Sequence, residues 1–237
     1  MTTTLITGAN KGLGYETARR LVAAGHTVYI GSRDSGRGRA AAERLGARTV
    51  QLDVTDETSV AAAATFVEAD GGLDVLINNA AIQAEMDDRG SVVIGAGELT
   101  ADAVRMTFET NVVGLVRVTH AFLPVLRRST APVVVNVSSG LGSLTRTATP
   151  GNHIHAYRGV AYPASKSAVN MITVRYANAF PDIRVNAVEP GFTRTDINAN
   201  TGVRSVEQGA EIIVRMARLG PDGPTGGCFD SEGATAW

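Results

Sequence analysis

Cysteine occurs once in the 237 residues, at Cys228, and lysine only twice, at Lys11 and Lys166. A single thiol excludes an intramolecular disulfide and any cysteine-built metal site. The formal net charge is -1, from 22 basic and 23 acidic residues, which leaves no ground for a nucleic-acid or anionic-membrane partner. No apolar run reaches the length of a membrane span. A strand-like run is already under way at Leu5 and Ile6, too early for a signal peptide, so a cytoplasmic location is expected. Hydrophobic residues make up 44% and charged residues 19%, the balance of a globular domain. The other basic residues are all arginine. The two lysines therefore stand where a compact point charge, which a planar guanidinium cannot imitate, has a specific use.

What is present is an alternation. β-Branched runs at 2–7, 27–31, 48–54, 73–79, 131–139 and 183–190 read as strands. Alanine-rich segments at 15–25, 38–46, from Asp56 or Thr58 to Ala69, around 100–128, after Tyr162 and near 205–218 read as helices, with a last strand near Gly226–Asp230. Strands alternating with helices imply an α/β fold, a doubly wound parallel sheet of the Rossmann type with helices on both faces. No linker or repeat divides the chain, so residues 1–237 are expected to form one domain. The stretches 82–99 and 140–161 resist assignment and, with the region 195–205, are expected to form a substrate rim as loops.

Directly after the first strand comes TGANKGLG, which opens into a helix. Its residues Gly8, Asn10, Lys11, Gly12, Leu13 and Gly14 form a turn in which the glycines let the backbone approach a pyrophosphate at the helix N-terminus. Arg33 lies nineteen residues past Gly14, at the end of the second strand. An acidic residue near this place would hold the ribose 2′-hydroxyl of NAD, whereas a guanidinium suits a 2′-phosphate through paired hydrogen bonds. With Lys11 expected beside the same phosphate, NADP(H) is favoured over NAD(H). Asp34 keeps the alternative open, since its carboxylate could face the ribose instead.

In YPASK (162–166) a tyrosine and a lysine lie four apart, on one face of a helix. Of the five tyrosines only Tyr162 has lysine at that spacing. A phenol titrates near ~10, and a neighbouring cation stabilises its ionised form, which makes an acid/base group for a carbonyl–alcohol interconversion.

Taken in order, TGANKGLG, NNAA (78–81), Asn111, VNVSS (135–139), YPASK and PGFTRT (190–195) resemble the motifs of the short-chain dehydrogenases/reductases, single-domain branch, over nearly the whole chain. The resemblance implies that Tyr162 is the catalytic acid/base and that Lys166 binds the nicotinamide ribose and lowers the tyrosine pKa. It implies that Ser139 orients the substrate carbonyl and Asn111 supports a water in the proton relay. It places Asn79, Ala80 and Ala81 along the cofactor, Pro190, Gly191, Thr193 and Thr195 beside the nicotinamide, and Asp53 and Val54 at the adenine.

NNAA departs from the commoner Asn-Asn-Ala-Gly, and the twenty-three-residue separation of Ser139 and Tyr162 exceeds the family's usual spacing, which leaves Ser138 or Ser143 as alternatives for the serine. The HIH run at 153–155 lacks a third ligand, so no metal is expected. Met171, Ile172 and Val174 read as packing residues on a helix that in this family often makes a dimer face, so a homodimer or homotetramer is a possible assembly. The expected activity is NADP(H)-dependent reduction of a ketone or aldehyde, or the reverse oxidation, on a small-molecule substrate. The alternatives are a non-catalytic NADP(H)-binding redox sensor and an enone or imine reductase.

Overall fold

Seven short runs, most of them apolar, form the strands of one parallel sheet among the described residues: β1 (Thr3–Thr7), β2 (Thr27–Ser32), β3 (Arg48–Gln51), β4 (Val75–Asn78), β5 (Val133–Val137), β6 (Arg184–Val188) and β7 (Cys228–Phe229). The computed structural model describes residues 2–152 and 154–237. The strand order is β3-β2-β1-β4-β5-β6-β7, and every neighbouring pair is parallel. Because side chains alternate along a strand, Leu5, Leu76 and Val134 enter the core on one face while Ile6, Ile77 and Val135 enter the core on the other. This is why the strands read as unbroken apolar runs.

The first of these cores is closed by α3 (Glu57–Ala69), α5 (Gly114–Leu126) and α7 (Ala161–Ala179), through Val60, Val67, Val118, Phe122 and Ala177. The second is closed by α1 (Gly12–Ala23), α2 (Ser35–Leu45) and α8 (Val206–Ala217), through Leu21, Ala41, Ala42, Ile212, Ile213 and Met216. Each fully buried aliphatic or phenyl side chain of this kind contributes about 1.5–3 kcal/mol. Phe122 is fully buried.

The helix boundaries follow local chemistry. Asp34, Asp56 and Ser205 cap α2, α3 and α8 with their side chains, and Gly46 ends α2 in a left-handed conformation at φ 65°. Between α4 (Ala101–Phe108) and α5, the helix widens to a π turn at Glu109–Val113 that carries Asn111.

Two expectations need correction. The stretch 140–161 is not loop throughout: it holds a 3₁₀ turn, Gly140–Gly142, and a short helix, α6 (Leu144–Ala148), which Ser143 caps by accepting from the Arg146 N–H. Met171 does not pack within the chain; it is exposed, because α7 buries the face made by Val169, Asn170, Thr173 and Ala177 instead.

The chain runs outward from β1 to β3 and then returns to place β4 on the other side of β1. Open parallel sheets bind ligands in the crevice at the carboxyl ends of the strands where the order reverses, here between β1 and β4. The glycine turn, NNAA, Ser139 and PGFTRT directly follow β1, β4, β5 and β6, so all four lie along that edge.

Candidate active site

The glycine turn has the shape of a cradle. Gly8 and Gly12 adopt φ values of 64° and 57°, a region that side chains disfavour. Gly14 answers a different need: a Cβ there would stand 2.8 Å from Ala9 Cα and 2.9 Å from the Gly8 oxygen, both backbone atoms. We expect Gly14→Ala to cost about 1–3 kcal/mol of stability, measured by thermal unfolding, together with weaker nucleotide binding by titration. Lys11 occupies the N-cap of α1 and no side chain caps that helix. Its first-turn amides and positive dipole end therefore suit an anion, and the turn fits the pyrophosphate of a dinucleotide.

The turn is held from behind. Thr7, which the sequence reading passed over, accepts from the Asn79 and Ala80 N–H groups, both at 3.0 Å, through its buried hydroxyl. The Asn79 amide donates back to the Thr7 and Gly8 carbonyls at 2.9 and 3.3 Å. Ala80 lies against Gly8, where an added Cβ would come within 3.1 Å of its Cα. Ala81 follows, half-buried. Asn78, by contrast, faces the interior and donates to Thr119 and Asn136.

Arg33 is exposed at the end of β2 and makes no ion pair among the described residues. Asp34 is committed elsewhere: it accepts from the Arg37 N–H at 2.9 Å as the cap of α2 and pairs with the Arg37 guanidinium. Burial opposes ionisation of the nearby Asp53 carboxyl. Hydrogen bonds from Thr55 and the charges of Arg33 and Arg117 nevertheless hold it below its ordinary value. Val54 packs against Gly114, where an added Cβ would meet its Cγ2 at 2.9 Å.

The Lys11 ammonium bonds Asp196 at 2.6 Å, reaching from the glycine turn to the loop after β6. That loop folds on itself: Thr193 donates to the Pro190 and Gly191 carbonyls, Gly191 turns at φ 76°, and the Thr195 methyl approaches Gly12. The region 195–205 is tied to it by an Arg194–Arg204 backbone hydrogen bond and by Asn198, which donates to the Thr193 carbonyl.

Tyr162 stands in the first turn of α7, with the Lys166 ammonium 5.5 Å from its ring centroid. Burial pushes its phenol up to about 12, against a hydrogen bond with Ser139 that pulls it down. Lys166, 3% exposed, donates to the Val137 carbonyl at 2.8 Å and is itself drawn down to about 8 by burial. The ammonium is thus anchored at the end of β5, under the Tyr162 ring.

That depression has a consequence for stability. Unfolded lysine, near 10.5, binds more protons than the folded one between about pH 8 and 10.5, so wild-type stability rises with pH through the lower part of that window. Above about pH 10 the raised Tyr162 phenol works the other way. Lys166→Met should remove a rise on the order of 2–3 kcal/mol, read from denaturant unfolding at pH 7 and 9.5, while turnover is lost.

Ser139 is the serine on the phenol. Ser138 is buried and donates to Asn170 at 2.5 Å, and Ser143 is occupied as the α6 cap. The Asn111 side chain accepts from the Ile82 N–H at 2.8 Å and donates to the Ile82 carbonyl and to Ser165 Oγ. Ser165 in turn donates to the Tyr162 carbonyl at 2.7 Å. The amide thus braces the Ile82 backbone and, through Ser165, the start of the catalytic helix. Of the HIH run, His153 lies outside the described residues, and His155 pairs with the Thr147 carbonyl.

A glycine cradle at a helix N-terminus and a Tyr–Lys–Ser cluster on the same sheet edge define a class: dinucleotide-binding α/β proteins with a built-in acid/base. A family model described as short chain dehydrogenase matches residues 2–205. (+)-Neomenthol dehydrogenase of Arabidopsis thaliana is 34% identical, over 96% of this chain and 95% of its own. Salutaridine reductase of Papaver somniferum superimposes with a TM-score of 0.83 at 28% identity, covering 98% of this chain and all of that one. NADPH-bound carbonyl reductase from chicken fatty liver gives 0.84 at 26% identity, over 100% and 99%. The chain belongs to the short-chain dehydrogenase family. It is an oxidoreductase that acts on alcohol and carbonyl groups with a nicotinamide cofactor.

Proposed function

We propose that the protein is an NADP(H)-dependent reductase of ketones or aldehydes, with Tyr162 as proton donor. The observation that carries this reading is the cluster itself: a half-buried phenol in the first turn of α7, hydrogen-bonded to Ser139, with the Lys166 ammonium 5.5 Å from its ring centroid, and burial keeps that phenol protonated at neutral pH. An acid that stays protonated at neutral pH suits the direction in which an oxyanion must be quenched. The residues that would hold the cofactor are the turn from Gly8 to Gly14, with Asn10, Lys11 and Leu13, then Arg33, Asp53 and Val54, Asn79 to Ala81, and Pro190 to Thr195.

When bound, the nicotinamide supplies the hydride. Everything else falls to the chain. Ser139 Oγ–H and Tyr162 OH converge on one point, where they can polarise a carbonyl oxygen and then protonate it. Lys166, fixed by the Val137 carbonyl, keeps a positive charge under the phenol ring at neutral pH and favours the phenolate left after transfer. Asn111 and Ser165 hold the Tyr162 backbone in register.

Arg33 supports NADP(H) over NAD(H). It is an exposed guanidinium with no ion pair among the described residues, at the ribose end of the crevice, and the rival Asp34 is tied up in capping α2.

The test is consumption of NADPH and of NADH over aliphatic and aromatic ketones, aldehydes and quinones. NADPH-preferring turnover is expected; tight NADPH binding with no turnover of any member would favour a redox-sensing module instead.

A further inference from the structure

Two long helices begin at the site without a side-chain cap of their own, α1 at Lys11 and α7 at Val160. The open amides of α1 suit a phosphate. Those of α7 are already taken. Glu85 Oε1 accepts from the Val160 and Ala161 N–H groups at 2.5 and 2.7 Å, and Oε2 accepts from the N–H of Tyr162 itself at 2.8 Å. Glu85 is 0% exposed. Burying a carboxylate is costly unless hydrogen bonds to the charged form offset it, and three amides at a helix's positive end do so.

The neighbourhood is shaped around this carboxylate. Gly159, just before the helix, has room for no side chain: an added Cβ would stand 3.0 Å from Glu85 Oε2 and 2.7 Å from the Tyr157 ring. Glu85 also anchors its own segment, since its carbonyl accepts from Val93 and Ile94. Two residues earlier Gln83 donates to the Tyr157 hydroxyl, and Ile82 is clamped by Asn111. Residues 82–85 thus close against 157–162 like a seam.

We infer that Glu85 is a positioning residue for Tyr162: a carboxylate from the substrate-rim segment 82–99 caps the catalytic helix and fixes the tyrosine's height over the crevice. It touches no reacting atom. The inference rests on the carbonyl-reductase reading, and it adds that the rim and the acid are mechanically one unit.

The test uses Glu85→Gln, whose amide sets an NH₂ against backbone N–H groups, and Gly159→Ala, which crowds the carboxylate instead. For each variant, kcat, KM, NADPH affinity and amide exchange in the peptide containing Val160–Tyr162 are measured. Because a 1 Å misplacement can cost about 100-fold in rate, kcat should fall about 10- to 100-fold in Glu85→Gln while KM and the NADPH Kd stay within about twofold and those amides exchange faster. Faster exchange with an unchanged kcat would overturn the inference, and so would parallel losses of kcat and NADPH affinity. If Glu85→Gln does not fold, Gly159→Ala must show the same pattern. If the wild type turns nothing over, the carbonyl reading falls on its own. Glu85 is then judged by the Tyr162 phenol titration, taken as the difference from each protein's Tyr162→Phe counterpart: a displaced titration supports the inference and an unchanged one overturns it.

Discussion

Replacing Tyr162 with phenylalanine should lower kcat for carbonyl reduction by about 10²–10⁴-fold, the range over which a positioned general acid acts. The substitution removes one oxygen from a half-buried ring and leaves the stem in place, so nucleotide affinity, measured by fluorescence titration, should stay within about twofold. The wild-type pH profile follows from the sign of the tyrosine shift. A phenol raised to about 12 is protonated at every pH below that, so kcat for reduction should be flat from about pH 6 to 7 and should fall above about pH 8 only as Lys166, drawn down to about 8, loses its charge. In the oxidation direction the same group must accept a proton, and the rate should climb with pH across that interval. A reduction profile that falls away near neutrality would assign the proton to another group.

Arg33→Ala should reverse or erase the cofactor preference. A charge-assisted hydrogen bond contributes about 1.5–3 kcal/mol, which corresponds to a rise of roughly 10- to 150-fold in the KM for NADPH. The KM for NADH, which lacks the 2′-phosphate, should change little. The comparison isolates Arg33 because Lys11, the second basic candidate, is bonded to Asp196, and the acidic rival Asp34 is bonded to the start of α2. A variant that loses affinity for both nucleotides equally would mean that Arg33 supports the turn rather than the phosphate.

How far the sequence could be read depended on how local each feature is. The sheet was legible because strands covered on both faces, such as Val133–Val137, cannot avoid being continuous apolar runs. Helix ends were legible where the cap is a neighbour, as with Asp56 and Gly46. The glycine turn, Tyr162 and Lys166 were legible because their spacing is itself the chemistry. Helix α6 was missed because it is only five residues long, lies in a stretch rich in Thr and Gly, and depends on the Ser143 cap. Glu85 was missed for the opposite reason. Its three hydrogen bonds join positions 75 to 77 residues apart, and nothing about an acidic residue in a polar segment marks it as a helix cap. The direction of the Tyr162 shift was also out of reach. Spacing shows that a lysine is near, but only the structure shows that its ammonium bonds the Val137 carbonyl and that burial prevails.

The most direct test follows the label from NADPH deuterated at the transferable position into product, using the best carbonyl substrate of the panel and a matched enone. Deuterium on the carbinol carbon, lost in Tyr162→Phe, is the predicted result. Deuterium on the β-carbon of the enone with the carbonyl intact, or no transfer at all while NADPH stays bound, would contradict it.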